Sequence, residues 1–283
     1  MSIQLHNFSV HYLAQCKSEN VDRIKAIVPK HNKLTILTWD KKVNGCFYLP
    51  GSSWSEGRNH LFENSKHDTE STYFIFLDDD VEFEQGNFLD FELFLRDFNP
   101  SIGVPVMQKS KKFVSIIKFF FEKSKNTSVC FRMDEQVQAF SRNVVFDGVA
   151  LPYPTLFDKE CWWYNTELHQ SIVKSVYFNS ILQCNDVVVL NHEHANYPRD
   201  FSKFRMSEIG SMFFYKLRIS KRFMFWGYGI FWRFVAYRTY FLDLLFYFHP
   251  VSSDKKIRQK KWFLNTKKTI LSRILSFNKE LEK

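Results

Sequence analysis

Asp78, Asp79 and Asp80 stand in a row directly behind the apolar run Tyr73-Phe74-Ile75-Phe76-Leu77. That run has the length and the aromatic and β-branched content of a buried strand, so the acids emerge at its carboxyl end. Three adjacent carboxylates repel one another unless a cation compensates them. Oxygen-rich clusters suit hard divalent ions such as Mg2+ or Mn2+, which also bridge phosphate oxygens. Open α/β sheets place their ligands at this edge. The plainer reading is a solvated acidic loop behind a core strand.

Other residue types add to the same chemistry. His192 and His194 flank Glu193 behind the apolar run at 181–190. Alternate residues of an extended chain point the same way, so either imidazole is a candidate to complete an ion site. Asp158 and Glu160 open a helical pattern in Phe157-Asp158-Lys159-Glu160-Cys161-Trp162-Trp163. Asp158 reads as a helix cap, or one of the two acids reads as a general base whose pKa bulky aromatics raise towards neutrality. Trp162 or Trp163 would then stack on a sugar ring. Arg58, near the start of another helical pattern, carries a guanidinium fork that matches diphosphate oxygens; the alternative is a solvated helix arginine. Asp40, behind the apolar run at 34–39, is either a turn residue or an acceptor for a base or ribose.

Strand and helix patterns alternate around these residues. Strands are expected at 8–13, 34–39, 46–49, 73–77 and 103–108, and helices at 21–28, 55–65 and 87–97, with Ser55 as an N-cap. A basic, phenylalanine-rich stretch at 109–125 interrupts the pattern as a helical insertion or mobile loop. A strand at 137–140, a helix at 159–173 and a strand at 181–190 resume it. The alternation predicts an α/β chain: a mostly parallel, doubly wound sheet with helices on its faces.

A chain of 283 residues can bury a substantial core. The net charge of +9 divides unevenly. Residues 201–283 hold 18 Lys and Arg against 5 Asp and Glu, a balance of +13, while residues 1–200 hold 21 against 25, a balance of −4. We therefore expect a mildly acidic globule over 1–200 and a basic helical appendage over 201–283. The five cysteines are scattered and form no CxxC pair, which argues against a zinc ribbon or a disulfide framework. The Met1 end has neither a basic nor an apolar signal region, so no secretory signal is expected.

The appendage is aromatic before it is basic. Residues 223–248 form the longest apolar stretch, but Arg233, Arg238 and Asp243 lie within it. Each costs about 2.5–3.5 kcal/mol at a bilayer centre, so lying in the interface fits better than spanning. Residues 254–273 follow with eight Lys and Arg against Asp254, and Ile270, Ile274, Phe277 and Leu281 recur at helical spacing. Attachment to an anionic membrane surface is the expectation; packing of the aromatics on the globule is the alternative. Nucleic acid is not expected, because the aromatics run apart from the lysines.

Taken in order, these features resemble GT-A-fold glycosyltransferases over about residues 5–197. The motifs that carry the resemblance are Phe76-Leu77-Asp78-Asp79-Asp80, Gln138-Ala139-Phe140-Ser141-Arg142, Asp158 followed by Trp162-Trp163, and Asn191 with His194. The resemblance implies a GT-A-like, Rossmann-like fold and a nucleotide-sugar donor. Asp78 and Asp80 would hold Mn2+ or Mg2+ on the diphosphate, and Asp79 would orient ribose or sugar. His192 or His194 would be a further ion ligand, and Asp158, or failing it Glu160, the base. The chain departs from many inverting members in lacking a paired acid at the helix start. Transfer to a glycan or lipid-linked acceptor in surface polysaccharide or lipopolysaccharide synthesis, on the cytoplasmic face of the membrane, is the expected role. A metal-dependent nucleotidyltransferase and a non-catalytic membrane tether are the alternatives.

Overall fold

The computed structural model describes residues 8–108, 127–130, 133, 135–148, 150–155, 158, 165–166, 169–170, 173, 177 and 181–190. These form a nine-stranded sheet in the order β3-β2-β1-β4-β8-β6-β9-β5, with β7 also pairing β9. The strands are β1 Val10–Cys16, β2 Lys33–Thr38, β3 Phe47–Tyr48, β4 Tyr73–Asp78, β5 Glu82–Gln85, β6 Ile102–Met107, β7 Thr127–Val129, β8 Val137–Ser141 and β9 Ile181–Leu190. The helices are α1 Val21–Ile27, α2 Trp54–Ser65, α3 Phe88–Phe98 and α4 Arg142–Phe146.

Helices cover both faces because both faces of the central strands are apolar. In β4, Tyr73, Ile75 and Leu77 point to one side with Tyr12 and Ala14 of β1, where α1 (Val21, Ile24) and α3 (Phe88, Phe91) pack. Phe74 and Phe76 point to the other side with Leu13, where α2 (Leu61, Phe62) and α4 (Val144, Val145) pack. Period-two alternation thus fills two cores from one strand, and each buried Phe contributes about 1.5–3 kcal/mol. The helix-flanked α/β expectation is borne out.

Strands β3, β2, β1 and β4 run parallel, whereas β8 is antiparallel to both β4 and β6. Beyond β8 the sheet is mixed. Strand β9 is parallel to β6 throughout, with a register shift between Pro105 and Val106. Its first half faces β7 and its second half faces β5. The short strands β5 and β7 escaped the sequence reading, since neither has an apolar run of its own.

Connectivity creates the crevice. After β1 the chain goes to β2 on one side, and after α2 it returns to β4 on the other. The carboxyl ends of β1 and β4 therefore border a topological switch point. There Gln15 lies opposite Asp78. Among the described residues, no helix is long and apolar enough to cross a membrane. The expected appendage over 201–283 lies outside the described residues, as does the stretch at 109–125.

Candidate active site at the carboxyl edge of the sheet

Helix α2 begins at the switch point. Its N-cap is Ser53 rather than Ser55: the Ser53 hydroxyl accepts from Glu56 N–H at 3.2 Å, and Ser53 N–H donates to Glu56 Oε2 at 3.0 Å. This capping box needs an acid three residues after the cap, which Ser53 has and Ser55 lacks. The helix lies close on β1. A Cβ at Gly57 would fall 2.3–2.5 Å from the Gln15 carboxamide, whose Nε2 donates to Ser53 O at 3.0 Å.

The first turns of α2 grip Asp78. Arg58 is 1% exposed, and its Nη2 donates to Asp78 Oδ1 at 2.7 Å and to the Glu135 carbonyl. Its Nη1 reaches Gln138 Oε1 and the Tyr153 hydroxyl, both at 3.3 Å. Tyr153 in turn donates to Gln138 Oε1 at 2.7 Å. The Trp54 ring lies 4.1 Å from the guanidinium carbon, and its indole N–H donates to Asp78 Oδ1 at 3.1 Å. Asn59 completes the scaffold by pairing with the Tyr153 backbone at 2.9 and 2.7 Å. The guanidinium expected to face a diphosphate is thus turned into the interior.

Burial pushes the Asp78 carboxyl up to about 6; Arg58 pulls it down, and the charges of Asp80 and Asp79 push it up again. For Arg58, burial is the largest influence and would favour the neutral form, but Asp78, Tyr153 and Glu135 together raise the pKa. The pair is one-sided, because the Asp78 side chain keeps 23% of its surface exposed.

Asp79 and Asp40 hold the loop that follows β1. Asp79 Oδ2 accepts from Lys17 N–H at 2.8 Å and Asn20 Nδ2 at 2.7 Å. Asp40 accepts from Ser18 N–H and the Ser18 hydroxyl, both at 2.7 Å. The Ser18 hydroxyl is the main reason its pKa is lowered. Residues from the ends of β2 and β4 therefore clasp one loop at the switch point. Asp80, next along the chain, is half-buried.

Asp158 joins the same helix end from about a hundred residues away. Its Oδ1 accepts from the Ser55 hydroxyl at 2.7 Å and from Asn165 Nδ2, and its Oδ2 from the Ser53 hydroxyl. Burial raises its pKa against the pull of those three donors. Asp78 and Asp158 are thus both held by the first turns of α2. Glu160, Trp162, Trp163, His192 and His194 lie outside the described residues. Sequence reasoning missed Trp54, Gln138, Tyr153 and Ser53 as parts of the site. Gln138 lay in a quoted motif, but a buried glutamine is visible only once β8 is paired with β4 opposite Phe76. Arg142 of that motif sits at the other end of the sheet, donating to Asp68 O at 2.8 Å.

Among the described residues, no group of three or more His, Cys, Asp and Glu is placed to hold a metal ion. The donors present nevertheless suit a hard divalent ion. Mg2+-type sites commonly use one or two carboxylates with waters and substrate phosphates, and here adjacent carboxylates stand on a partly open edge.

No protein-family model matches the chain, and no curated protein matches it in sequence. Solved structures similar to it include A197 from STIV, at 11% identity and TM-score 0.40, over 68% of this chain and 90% of that one. Another is S. aureus TarS 1–349 in complex with UDP-GlcNAc, at 11% identity and TM-score 0.43, over 74% of this chain and 67% of that one. A third is GalNAc-T7 with UDP, GalNAc and Mn2+, at 11% identity and TM-score 0.47, over 92% of this chain and 56% of that one. This chain thus spans little more than half the GalNAc-T7 chain.

Proposed function

We propose that this chain is a glycosyltransferase that moves a sugar from a nucleotide-sugar donor to a glycan or lipid-linked acceptor. The observation that carries the reading is the acidic triplet at the switch point, partly open and joined through α2 to a further half-buried carboxylate, Asp158. Asp78 and Asp80 are the proposed ligands of a divalent ion, with His192 or His194 as a further one. When bound, Mn2+ or Mg2+ there would stabilise the charge that develops on a nucleoside diphosphate leaving group. Asp79 and Asp40 shape the loop beside the donor's ribose and base. Asp158, or Glu160 near it, takes the proton of the acceptor hydroxyl as that oxygen attacks the anomeric carbon. Its raised pKa favours a base working nearer neutrality. Trp162 and Trp163 are the proposed acceptor platform.

The basic 201–283 segment is the proposed membrane attachment, on the cytoplasmic face, which would bring a lipid-linked acceptor of bacterial surface-polysaccharide synthesis within reach. The test of the whole reading is a panel of nucleotide-sugars with Mn2+, read as donor turnover. Turnover of one donor, abolished by chelation and by Asp80→Ala in a protein of unchanged circular dichroism, is the expected result. Turnover of a nucleoside triphosphate instead, or of nothing, refutes it. For the tail, replacing Lys255, Lys256, Lys260 and Lys261 by Glu should release the full chain from anionic vesicles; undiminished binding refutes that part.

A further inference from the structure

We infer that Arg58 and Trp54 are positioning residues that fix the rotamer of Asp78, binding one carboxylate oxygen into the protein and leaving the other to a cation. The inference rests on the metal role proposed above for Asp78. Both donors converge on Oδ1, Arg58 at 2.7 Å and Trp54 at 3.1 Å. The nearest approach of the indole N–H to Oδ2 is a weaker 3.4 Å.

Arg58 is itself locked. Its two terminal nitrogens meet the Glu135 carbonyl, Gln138 Oε1 and the Tyr153 hydroxyl besides Asp78. The Trp54, Tyr153 and Phe76 rings stand 4.1, 5.6 and 5.8 Å from its guanidinium carbon. A planar fork with several fixed donors can serve these partners together, whereas a flexible ammonium cannot. The exposures differ sharply: 1% for the Arg58 side chain and 23% for that of Asp78. An ion pair serving stability alone gains nothing from leaving its carboxylate open to the crevice. Partners behind a metal ligand act in this way, and their loss commonly costs about 10- to 100-fold in metal affinity.

The test is binding of Mn2+ alone to the full-length chain, followed by the electron paramagnetic resonance signal of the free ion. Arg58→Lys keeps the charge and removes the fork, so electrostatic attraction for the ion is held nearly constant. We expect its Kd for Mn2+ to rise about tenfold, and that of Trp54→Phe, which loses only the N–H donor, to rise less. In an Asp78→Asn background, Arg58→Lys should change the Kd by no more than about twofold, because the route through Asp78 is already cut. Wild-type affinity in both single variants overturns the inference and leaves the metal role standing. An equal loss with and without the Asp78 carboxylate also overturns it, since Arg58 would then act by another path. Absence of Mn2+ binding to the wild-type chain overturns the metal role and this inference with it. Should Arg58→Lys fail to fold, Trp54→Phe alone and combined with Asp78→Asn decides by the same criteria.

Discussion

The two edges of the parallel half-sheet each carry an acid paired with a buried arginine or histidine, yet the two acids are treated in opposite ways. At the amino edge Asp68 is saturated. Its Oδ1 accepts from Glu70 N–H at 3.0 Å, Ser71 N–H at 3.1 Å and Lys33 Nζ at 3.1 Å, and its Oδ2 from the Ser71 hydroxyl at 2.6 Å and His11 Nδ1 at 2.8 Å. Burial alone would raise its pKa, but these donors, Ser71 foremost, hold it well below the usual carboxylate range. Burial lowers the His11 pKa, so its Nδ1–H donates to Asp68 while Nε2 accepts from Thr35 Oγ1 at 2.8 Å. At the carboxyl edge Asp78 has donors mainly on one oxygen, and two more carboxylates follow it in the chain. One edge spends its donors on a single acid and is electrostatically closed. The other anchors Asp78 through one oxygen and leaves its side chain partly open to the crevice, with Asp79 and Asp80 next along the chain.

Four experiments would break or sharpen that contrast. The largest effect is expected from Asp80→Ala. Donor turnover should fall about a thousand-fold, in keeping with several kcal/mol of lost charge stabilisation, with the unfolding midpoint hardly moved; a turnover loss below tenfold would make the carboxyl edge as inert as the amino edge. Next comes Arg58→Met, which strands Asp78 in a partly dry site. It should destabilise the fold by about 3 kcal/mol in urea unfolding, and Asp78→Asn added to it should recover much of that loss.

Third is Asp68→Asn, expected to cost about 2 kcal/mol at pH 7 with no effect on donor turnover. The folded Asp68 carboxyl ionises at lower pH than the unfolded one. Its stabilisation is therefore complete above the unfolded pKa of about 3.9 and fades as the pH falls below it. The gap between variant and wild type should accordingly shrink in urea titrations repeated at pH 3, and a constant gap would contradict the ionised, saturated picture. The smallest effect belongs to Gly57→Ala. The new Cβ displaces the Gln15 carboxamide from Ser53 O, but alanine's helix propensity returns about 1 kcal/mol. Stability should stay within about 1 kcal/mol while turnover falls severalfold; unchanged turnover would separate α2's approach to β1 from the site.

Much of the fold is legible from local pattern. The apolar run of β4 announces a strand buried on both faces, and α1, α3 and β9 follow from periodicity that needs no partner to be seen. The N-cap of α2 was misplaced by two residues because Ser53 and Ser55 are both good caps, and only the reciprocal bond with Glu56 separates them. Strands β5 and β7 were invisible, since Glu82–Gln85 and Thr127–Val129 are too short and too polar to signal a strand before β9 pairs with them. Arg58 shows the limit most plainly. By residue type it is a surface helix arginine or a phosphate fork, and its burial depends on Gln138, Tyr153 and the Glu135 carbonyl, 77 to 95 residues further along the chain.

The amino-acid order alone determined that three acids follow a buried strand in an alternating α/β chain, because side-chain periodicity and charge are local properties. Only the tertiary structure decided which acid is anchored, which two hold the loop after β1, and that Asp158 meets the first turn of α2. Those outcomes are set by strand order and register, which bring distant donors within hydrogen-bonding reach, and no window of sequence contains both partners.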